Sequence, residues 1–384
     1  MMDHQRQLFD LPEEIAYLNC AYMSPQLNAV TAVGQAALVR KQKPYEIAIH
    51  DFFDPVNHLK IAFSKLINNS DPQRIAIIPS ASYGIANVAK NIQWEKGDEI
   101  IVIAEQFPSN IYSWKRVAEK HQAKLLEIDS TPNSERTTLW NKAILERIHS
   151  KTKLVSISHV HWADGTVFDL EAIRKKTKEV GALLVVDGTQ SVGALPFDQA
   201  KLQVDALICA GYKFLMGPYS IGLAYYGPAF DDGIPIEENW INRNNSQDFR
   251  ALVNYQDTYQ PLAGKYSVGE HSNFLLVPML HCALEQLLAW GTENVQAFAK
   301  NLGKEVLAQL RSEGLFIADD SHRAGHLFGI SLNDQINLTR FKQCLHEKKV
   351  FVSFRGNSIR VSPHVYNRDV DFERLYDVFQ AAKR

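Results

Sequence analysis

Cysteine is scarce in this sequence, and no two cysteines lie close together. The 384 residues include four, at Cys20, Cys209, Cys282 and Cys344. This spacing lacks the CxxC pairs of zinc sites and redox motifs, and so few thiols in a chain of this length do not make a disulfide framework. We therefore expect free thiols, no metal site and a reducing, cytoplasmic location.

Long apolar runs and an excess of charge are also missing. The first six residues lack the apolar core of a signal peptide, and no run approaches the ~20 apolar residues needed to cross a bilayer. The formal net charge of −2 offers no field that would attract nucleic acid or an anionic membrane. These absences favour a small-molecule partner and exclude nucleic acid and membrane as expected partners.

Between about residues 70 and 230, apolar runs alternate with amphipathic helical patterns. Runs such as Leu183 to Val186 are apolar without alternation, as in strands that are covered on both faces. The predicted strands are 75–79, 99–105, 124–129, 153–160, 182–187, 206–211 and 221–226, and helices are predicted at 81–93, 109–120 and 170–180. This order predicts an α/β fold with a large, mostly parallel sheet and helices on both faces.

The pattern changes after residue 230. An irregular stretch, 231–269, precedes the remaining predicted elements, which are helices at 274–290, 294–313, 338–347 and 370–382 and short strands at 326–332, 350–354 and 359–362. We expect a large domain over 51–270 and a smaller α+β domain over 271–384. Residues 1–50 have no sheet of their own and are expected to pack on the small domain or on a neighbouring subunit.

Two charged residues follow neighbouring strands of the predicted sheet. Asp187 ends an apolar strand, where a buried carboxylate is costly unless a cation meets it. Lys213 follows the next strand, and an amine in an apolar setting has a lowered pKa and can attack an aldehyde. Each residue alone has a simpler interpretation, as a helix cap or metal ligand for Asp187 and as a surface lysine for Lys213. Together they suit pyridoxal 5′-phosphate (PLP), with Asp187 at its ring nitrogen and Lys213 bound as a Schiff base.

Three further features fit the same cofactor. Ser80 to Gly84 opens a predicted helix directly after a strand, where backbone N–H groups could bind a phosphate. An ordinary Ser N-cap without a ligand would give the same sequence pattern. Phe107 could stack on a flat ring or merely pack in its loop. Arg360, on a predicted strand, could hold a substrate carboxylate or form a structural salt bridge.

These motifs, Val185 to Gly193, Asp205 to Lys213 and Gly217-Pro218, resemble the class V aminotransferase family, which includes cysteine desulfurases, kynureninases and isopenicillin N epimerase-like enzymes. The resemblance implies the PLP-dependent fold type I and a homodimer with active sites at the subunit interface. It implies that Lys213 forms the Schiff base, that Asp187 contacts the ring nitrogen and that Arg360 binds the substrate carboxylate. The remaining cofactor contacts that it implies are Gln190 at the ring hydroxyl, Phe107 on the ring, Ala81, Ser82 and Tyr212 at the phosphate, and Ser272 and Asn273 at the phosphate of the neighbouring subunit.

The departures from the family pattern bear on the reaction. Many relatives carry His where Tyr212 stands, and desulfurases carry a loop cysteine that is missing from 350–359. Cys20 is the one thiol that could approach a substrate, and its pattern favours a packed small residue instead. Ala163 and Asp164 stand where relatives often have Ser-Thr or Thr-Thr, so Asp164 and the nearby His161 could tune substrate choice or serve the structure. We expect an amino-acid aminotransferase; a kynureninase- or desulfurase-like lyase and an epimerase are the alternatives.

Two other classes of function are disfavoured. A binding protein without catalysis would have no use for a lysine placed to form an imine. A nicotinamide-binding fold is not expected either, since no GxGxxG motif follows an early strand.

Overall fold

The structure is a computed structural model that describes residues 2–129 and 135–384. Along these residues the strands are β1 (Ala16–Tyr17), β2 (Ile75–Ile78), β3 (Glu99–Ile103), β4 (Lys124–Ile128), β5 (Thr152–Ser158), β6 (Leu183–Asp187), β7 (Ala206–Ala210), β8 (Gly222–Tyr226), β9 (Phe328–Ser331), β10 (Val350–Phe351), β11 (Ser353–Arg355) and β12 (Ser358–Val361). The α-helices are α1 (Asn28–Lys41), α2 (Asp54–Leu66), α3 (Ala81–Lys90), α4 (Tyr112–His121), α5 (Arg136–Arg147), α6 (Leu170–Val180), α7 (Gln199–Leu202), α8 (Leu276–Trp290), α9 (Thr292–Asn301), α10 (Lys304–Ser312), α11 (Leu338–Glu347) and α12 (Asp369–Ala381). No described helix combines the length and the apolar character needed to cross a bilayer.

Seven strands form one sheet in the order β2-β8-β7-β6-β5-β3-β4. All run parallel except β8, which is antiparallel to both of its neighbours. The register pairs Ser158 with Asp187 and Asp187 with Ile208, so three strands end at about the same level. This confirms the predicted α/β fold with a mostly parallel sheet.

The sheet is buried on both faces, which explains its apolar strands. Ile75 and Ile77 point into one hydrophobic cluster with α2 and α8, whereas Ala76 and Ile78 point into another with α3 and α4. Because successive side chains of a strand alternate between the two faces, both sets must be apolar when both faces are covered. The result is a rigid platform whose strand ends carry the loops.

A second sheet, β11-β12-β9, is antiparallel and packs with α10, α11 and α12 in its own hydrophobic cluster. The N-terminal strand β1 pairs in parallel with β10, with Ala16 opposite Val350. Helix α8 lies beyond residue 270 but shares its cluster with the large sheet. The domain boundaries given above stay a prediction.

The predicted helix 294–313 is wrong as a single element, because the chain forms α9 and α10 with a break at Gly303. Gly303 has φ +67°, a backbone conformation that side chains other than glycine rarely adopt. An added Cβ there would lie 2.2 Å from the ring of Phe372 in α12. The break lets α12 approach the chain closely. The predicted strand 350–354 is likewise divided into β10 and β11.

Candidate active site

A cavity of about 340 Å³ opens at the carboxyl ends of the parallel strands of the large sheet. Its wall comes from the segments that follow β2, β3, β5, β6 and β7, as expected for an open α/β sheet. Of the residues predicted for the site, seven line this cavity: Ala81, Ser82, Phe107, Asp187, Gln190, Tyr212 and Lys213.

Lys213 lies in this cavity with 6% of its surface exposed. Burial and the charge of Arg360 lower the pKa of its amine, the charge of Asp187 opposes them, and the resulting pKa is about 8. The amine nitrogen lies 5.2 Å from the centre of the Phe107 ring. A lysine in this setting is neutral far more often near pH 8 than an exposed lysine, so it is available as a nucleophile.

Asp187 ends β6 and is buried in the wall of the same cavity. Burial raises the pKa of its carboxyl group, and hydrogen bonds from Thr189 and the charge of Lys213 oppose that rise. The backbone N–H of Thr189 donates to Oδ1 at 3.0 Å. A carboxyl group held in this way gains strongly from a cationic ligand, which restores the stability of its charged form.

The start of α3 forms another part of the wall. Ser80 is the N-cap, and its Oγ accepts a hydrogen bond from the N–H of Tyr83 at 3.2 Å. Ser82 Oγ lies 3.0 Å from Ser80 Oγ, and Ala81 carries no side chain that would block the backbone. The N–H groups of this first turn and the helix dipole favour an anionic group such as a phosphate.

Arg360 is not a wall residue of this cavity, but it lies behind the wall with 1% of its surface exposed. Nη1 donates to the carbonyl oxygen of Trp162 at 2.9 Å, whereas Nε and Nη2 have no hydrogen-bond partner within the described residues. Burial and the nearby charge of Arg355 lower the pKa of Arg360 to about 9. A buried guanidinium with free donors is a ready site for a carboxylate.

Ser272 and Asn273 are not in the cavity of Lys213. They line a separate cavity of about 240 Å³ between α1, α2 and the start of α8. Asn273 Oδ1 accepts hydrogen bonds from the N–H groups of Leu275 and Leu276, which caps α8. Within one chain the structure therefore does not bring these two residues to the site.

Two other candidates from the sequence, His161 and Asp164, contact each other outside the cavity. His161 is fully buried, and its Nδ1 lies 2.9 Å from Asp164 Oδ1. Asp164 also pairs with Arg136 at 3.2 Å, and these charges and hydrogen bonds hold the pKa of its carboxyl well below its usual range although burial opposes them. Neither residue lines the cavity, so the structure favours the structural interpretation. Cys20 is also buried, and burial raises the pKa of its thiol to about 12.

Sequence reasoning missed several wall residues, namely Gln106, Ser109, Ser158, Trp162, Thr189, Tyr219 and Ser220. Gln106 Nε2, Ser158 Oγ and Gln190 Oε1 are buried and have no hydrogen-bond partner in the described part of the chain. Ser158 ends β5, and Gln106 follows β3, so the position at a strand end could have identified both. Tyr219 and Ser220 do not follow the end of a predicted strand, so their positions in the sequence would not have identified them.

A family model of class V aminotransferases matches residues 48–371. The chain belongs to the class V aminotransferase family. It is similar to the uncharacterized aminotransferase YcbU of Bacillus subtilis, with 24% identity over 97% of this chain and 98% of that one. It is also similar to a probable cysteine desulfurase of Pyrococcus abyssi, with 34% identity over 43% of this chain and 40% of that one.

Solved structures share the fold over nearly the whole chain. A variant of C-DES with glycine covalently linked to its PLP cofactor aligns with a TM-score of 0.86 and 18% identity, covering 98% of this chain and 99% of that one. The cysteine desulfurase CsdA of Escherichia coli aligns with a TM-score of 0.82 and 18% identity, covering 98% and 96%. The class V family match and this fold confirm the predicted fold type I, and the protein is a PLP-dependent enzyme.

The site fits this cofactor by its own chemistry. A buried carboxyl group, a buried amine of lowered pKa and a helix N-terminus lie around one cavity. The unpartnered Gln190 Oε1 and Ser158 Oγ offer polar atoms beside them. A flat heterocycle with a cationic nitrogen, an aldehyde, a hydroxyl and a phosphate would satisfy each of these groups.

Proposed function

We propose that this protein is an aminotransferase that acts on an amino acid, with Lys213 as its catalytic base. One observation carries the proposal: the Lys213 amine and the Asp187 carboxyl lie buried in the same cavity and shift each other's pKa. An acid and an amine in this relation can hold opposite ends of the cofactor. The proposal extends to a cytoplasmic homodimer with shared active sites.

Each wall residue has a proposed part in holding PLP. Asp187 would hold the protonated ring nitrogen, Gln190 the ring hydroxyl and Phe107 the ring face. The phosphate would lie at the start of α3, held by Ala81 and Ser82 and by Tyr212. Lys213 would hold the aldehyde carbon through its amine.

When bound, PLP supplies an electron sink for the bond electrons at the substrate Cα. Arg360 would take the substrate α-carboxylate on its free Nε and Nη2, which orients the Cα–H bond toward Lys213. Released from the cofactor by the substrate amine, Lys213 would remove the Cα proton. Its pKa of about 8 suits a group that must accept and return a proton near neutral pH.

A lyase is the second candidate, because relatives include enzymes described as cysteine desulfurases and a cystine C-S lyase. A desulfurase that transfers the substrate sulfur to its own cysteine would require an accessible thiol at the site. Along residues 2–129 and 135–384, no cysteine lines the cavity, and the Cys20 thiol has a raised pKa. A lyase that needs no thiol, or an epimerase that returns the proton to Cα, would use the same first proton transfer.

The first prediction tests Lys213. We expect the purified protein to absorb visible light through its lysine-bound cofactor, and Lys213→Ala to abolish this absorption because no other buried amine lines the described cavity. The absorption spectrum after incubation with PLP and removal of the unbound cofactor measures this. As a control, Lys201→Ala on the exposed end of α7 keeps the spectrum. A colourless wild-type protein that cannot be reconstituted with PLP would contradict the proposal.

The same coloured protein separates the reaction types. A panel of amino acids is added without an amino acceptor, and the cofactor spectrum and the products are followed. Conversion of the cofactor with release of one equivalent of 2-oxo acid supports transamination. Catalytic formation of pyruvate, alanine or sulfide supports a lyase, and racemised substrate supports an epimerase.

A further inference from the structure

A second arginine lies beside Arg360 on the same face of the small sheet. Strands β11 and β12 are antiparallel, and Arg360 is paired with Ser353. Arg355 is two residues from Ser353 on β11, so its side chain leaves the sheet on the same face as that of Arg360. Diagonal neighbours of this kind lie roughly 7–8 Å apart, within reach of long side chains.

Both arginines converge on Trp162, which lines the cavity of Lys213. Arg360 donates to the Trp162 carbonyl oxygen, and the guanidinium carbon of Arg355 lies 4.8 Å from the centre of the Trp162 ring. The charge of Arg355 is close enough to lower the pKa of Lys213 and of Arg360. Arg355 is therefore part of the surroundings of the site, at its half-buried edge.

Arg355 has no partner among the contacts proposed above. Asp187 would face the ring nitrogen of PLP, and a substrate α-carboxylate would occupy Arg360. The Arg355 side chain donates a hydrogen bond to the carbonyl oxygen of Phe354. Its Nε is buried and unpartnered, and no described carboxylate forms an ion pair with it.

We propose that the substrate is an acidic amino acid, whose side-chain carboxylate binds Arg355 while its α-carboxylate binds Arg360. The inference rests on the proposed function and names its substrate class. Two guanidinium groups that start one diagonal step of a sheet apart and both reach Trp162 suit two carboxylates joined by a short carbon chain. The guanidinium carbon of Arg355 lies over the Trp162 ring, and this cation–π contact favours that position for the Arg355 group.

The second prediction compares acids with their amides on the PLP-loaded enzyme. The rate of the cofactor's spectral change is measured with aspartate and glutamate and with asparagine and glutamine, which have nearly the same shape. We expect kcat/KM for at least one acid to exceed that for its amide by roughly 10- to 100-fold, the worth of a hydrogen-bonded charge.

Arg355→Gln is the diagnostic variant, because glutamine keeps a flat amide that can lie on Trp162 but carries no charge. The ratio of kcat/KM for acid over amide should fall at least about tenfold in Arg355→Gln and less in Arg355→Lys. Arg116→Gln, a matched arginine exposed on α4, should keep the wild-type ratio. In Arg360→Gln, kcat/KM should fall by a similar factor for acids and for amides, since both carry the α-carboxylate.

The outcomes separate this inference from the proposed function. If Arg355→Gln slows acids and amides by the same factor, Arg355 only supports Trp162 and the inference is overturned. The same holds if the wild-type enzyme accepts amides as well as acids, or reacts only with neutral amino acids, although the proposed function then stands. If no amino acid changes the cofactor spectrum, both fail.

Discussion

At the scale of single residues, burial prepares two ionisable groups for opposite partners. The side chains of Lys213 and Asp187 are both buried, and burial favours the neutral form of each. For Lys213 the neutral form is the nucleophile. For Asp187 the charged form must be regained, and a protonated ring nitrogen would supply the missing partner.

The third prediction concerns Asp187→Asn. We expect this variant to keep bound PLP, because asparagine has the same shape, and to lose turnover on the order of 100-fold or more, because a neutral amide does not keep the ring nitrogen protonated. Bound cofactor is measured by absorbance and turnover by product formation.

The control is Asp169→Asn at the exposed N-cap of α6, where asparagine caps as well as aspartate and activity should not change. Turnover of Asp187→Asn at the wild-type rate would remove the role proposed for Asp187.

At the scale of elements, glycine decides where the small sheet's helices end. Gly303 and Gly314 both have positive φ, at +67° and +84°. A Cβ at Gly303 would meet the Phe372 ring at 2.2 Å, whereas a Cβ at Gly314 would meet nothing within 4 Å. A residue with a side chain would therefore have a strained backbone at both positions, but it would clash with a neighbour only at Gly303.

The fourth prediction uses this matched pair. Gly314→Ala should lower the free energy of unfolding by about 1–2 kcal/mol, the cost of a left-handed backbone for a residue with a side chain. Gly303→Ala should cost about 1–3 kcal/mol more, because the ring of Phe372 must move in a packed core. Denaturant unfolding measures both free energies. If both variants lose the same free energy of unfolding, the Phe372 ring and α12 move aside without an energetic cost.

At the scale of the whole molecule, the predicted homodimer gives a purpose to Ser272 and Asn273, which one chain keeps away from the Lys213 cavity. Under the proposal, these residues reach the phosphate site of the neighbouring subunit. Asn273 caps α8 through its side-chain oxygen, and aspartate would keep that cap while adding a negative charge.

The fifth prediction tests whether sites are shared. Asn273→Asp alone should weaken PLP binding, because its charge repels the phosphate. Differently tagged Asn273→Asp and Lys213→Ala chains are then co-expressed, and the hybrid dimer is purified by both tags. Shared sites place both changes in one site and leave the other site intact, so the hybrid should regain activity that both parent dimers lack at low PLP.

A hybrid without activity would mean that each chain builds its own site. A monomeric mass for the wild-type protein in solution would contradict the shared site directly. The hybrid of Lys213→Ala with the wild-type chain is the reference for one intact site per dimer.

The sequence alone determined the architecture and the centre of the site. Apolar strands without alternation predicted a sheet covered on both faces, because a side chain that faces a packed layer on either side must be apolar. The positions of Asp187 and Lys213 after neighbouring strands placed them at one sheet edge, since parallel strands end on the same side. The local pattern also indicated Ser80 to Gly84 as a phosphate segment, whereas family resemblance supplied Gln190 and Tyr212, which local pattern would not single out.

Only the tertiary structure decided what depends on contacts between distant segments. The close packing of Phe372 against Gly303, some seventy residues away along the chain, is a contact that no local pattern encodes. The lowered pKa of Lys213 and the unpartnered donors of Arg360 result from burial, which arises when the sheets assemble. The contact of Arg355 with Trp162 likewise required the small sheet to meet the large one, because the two residues lie far apart along the chain.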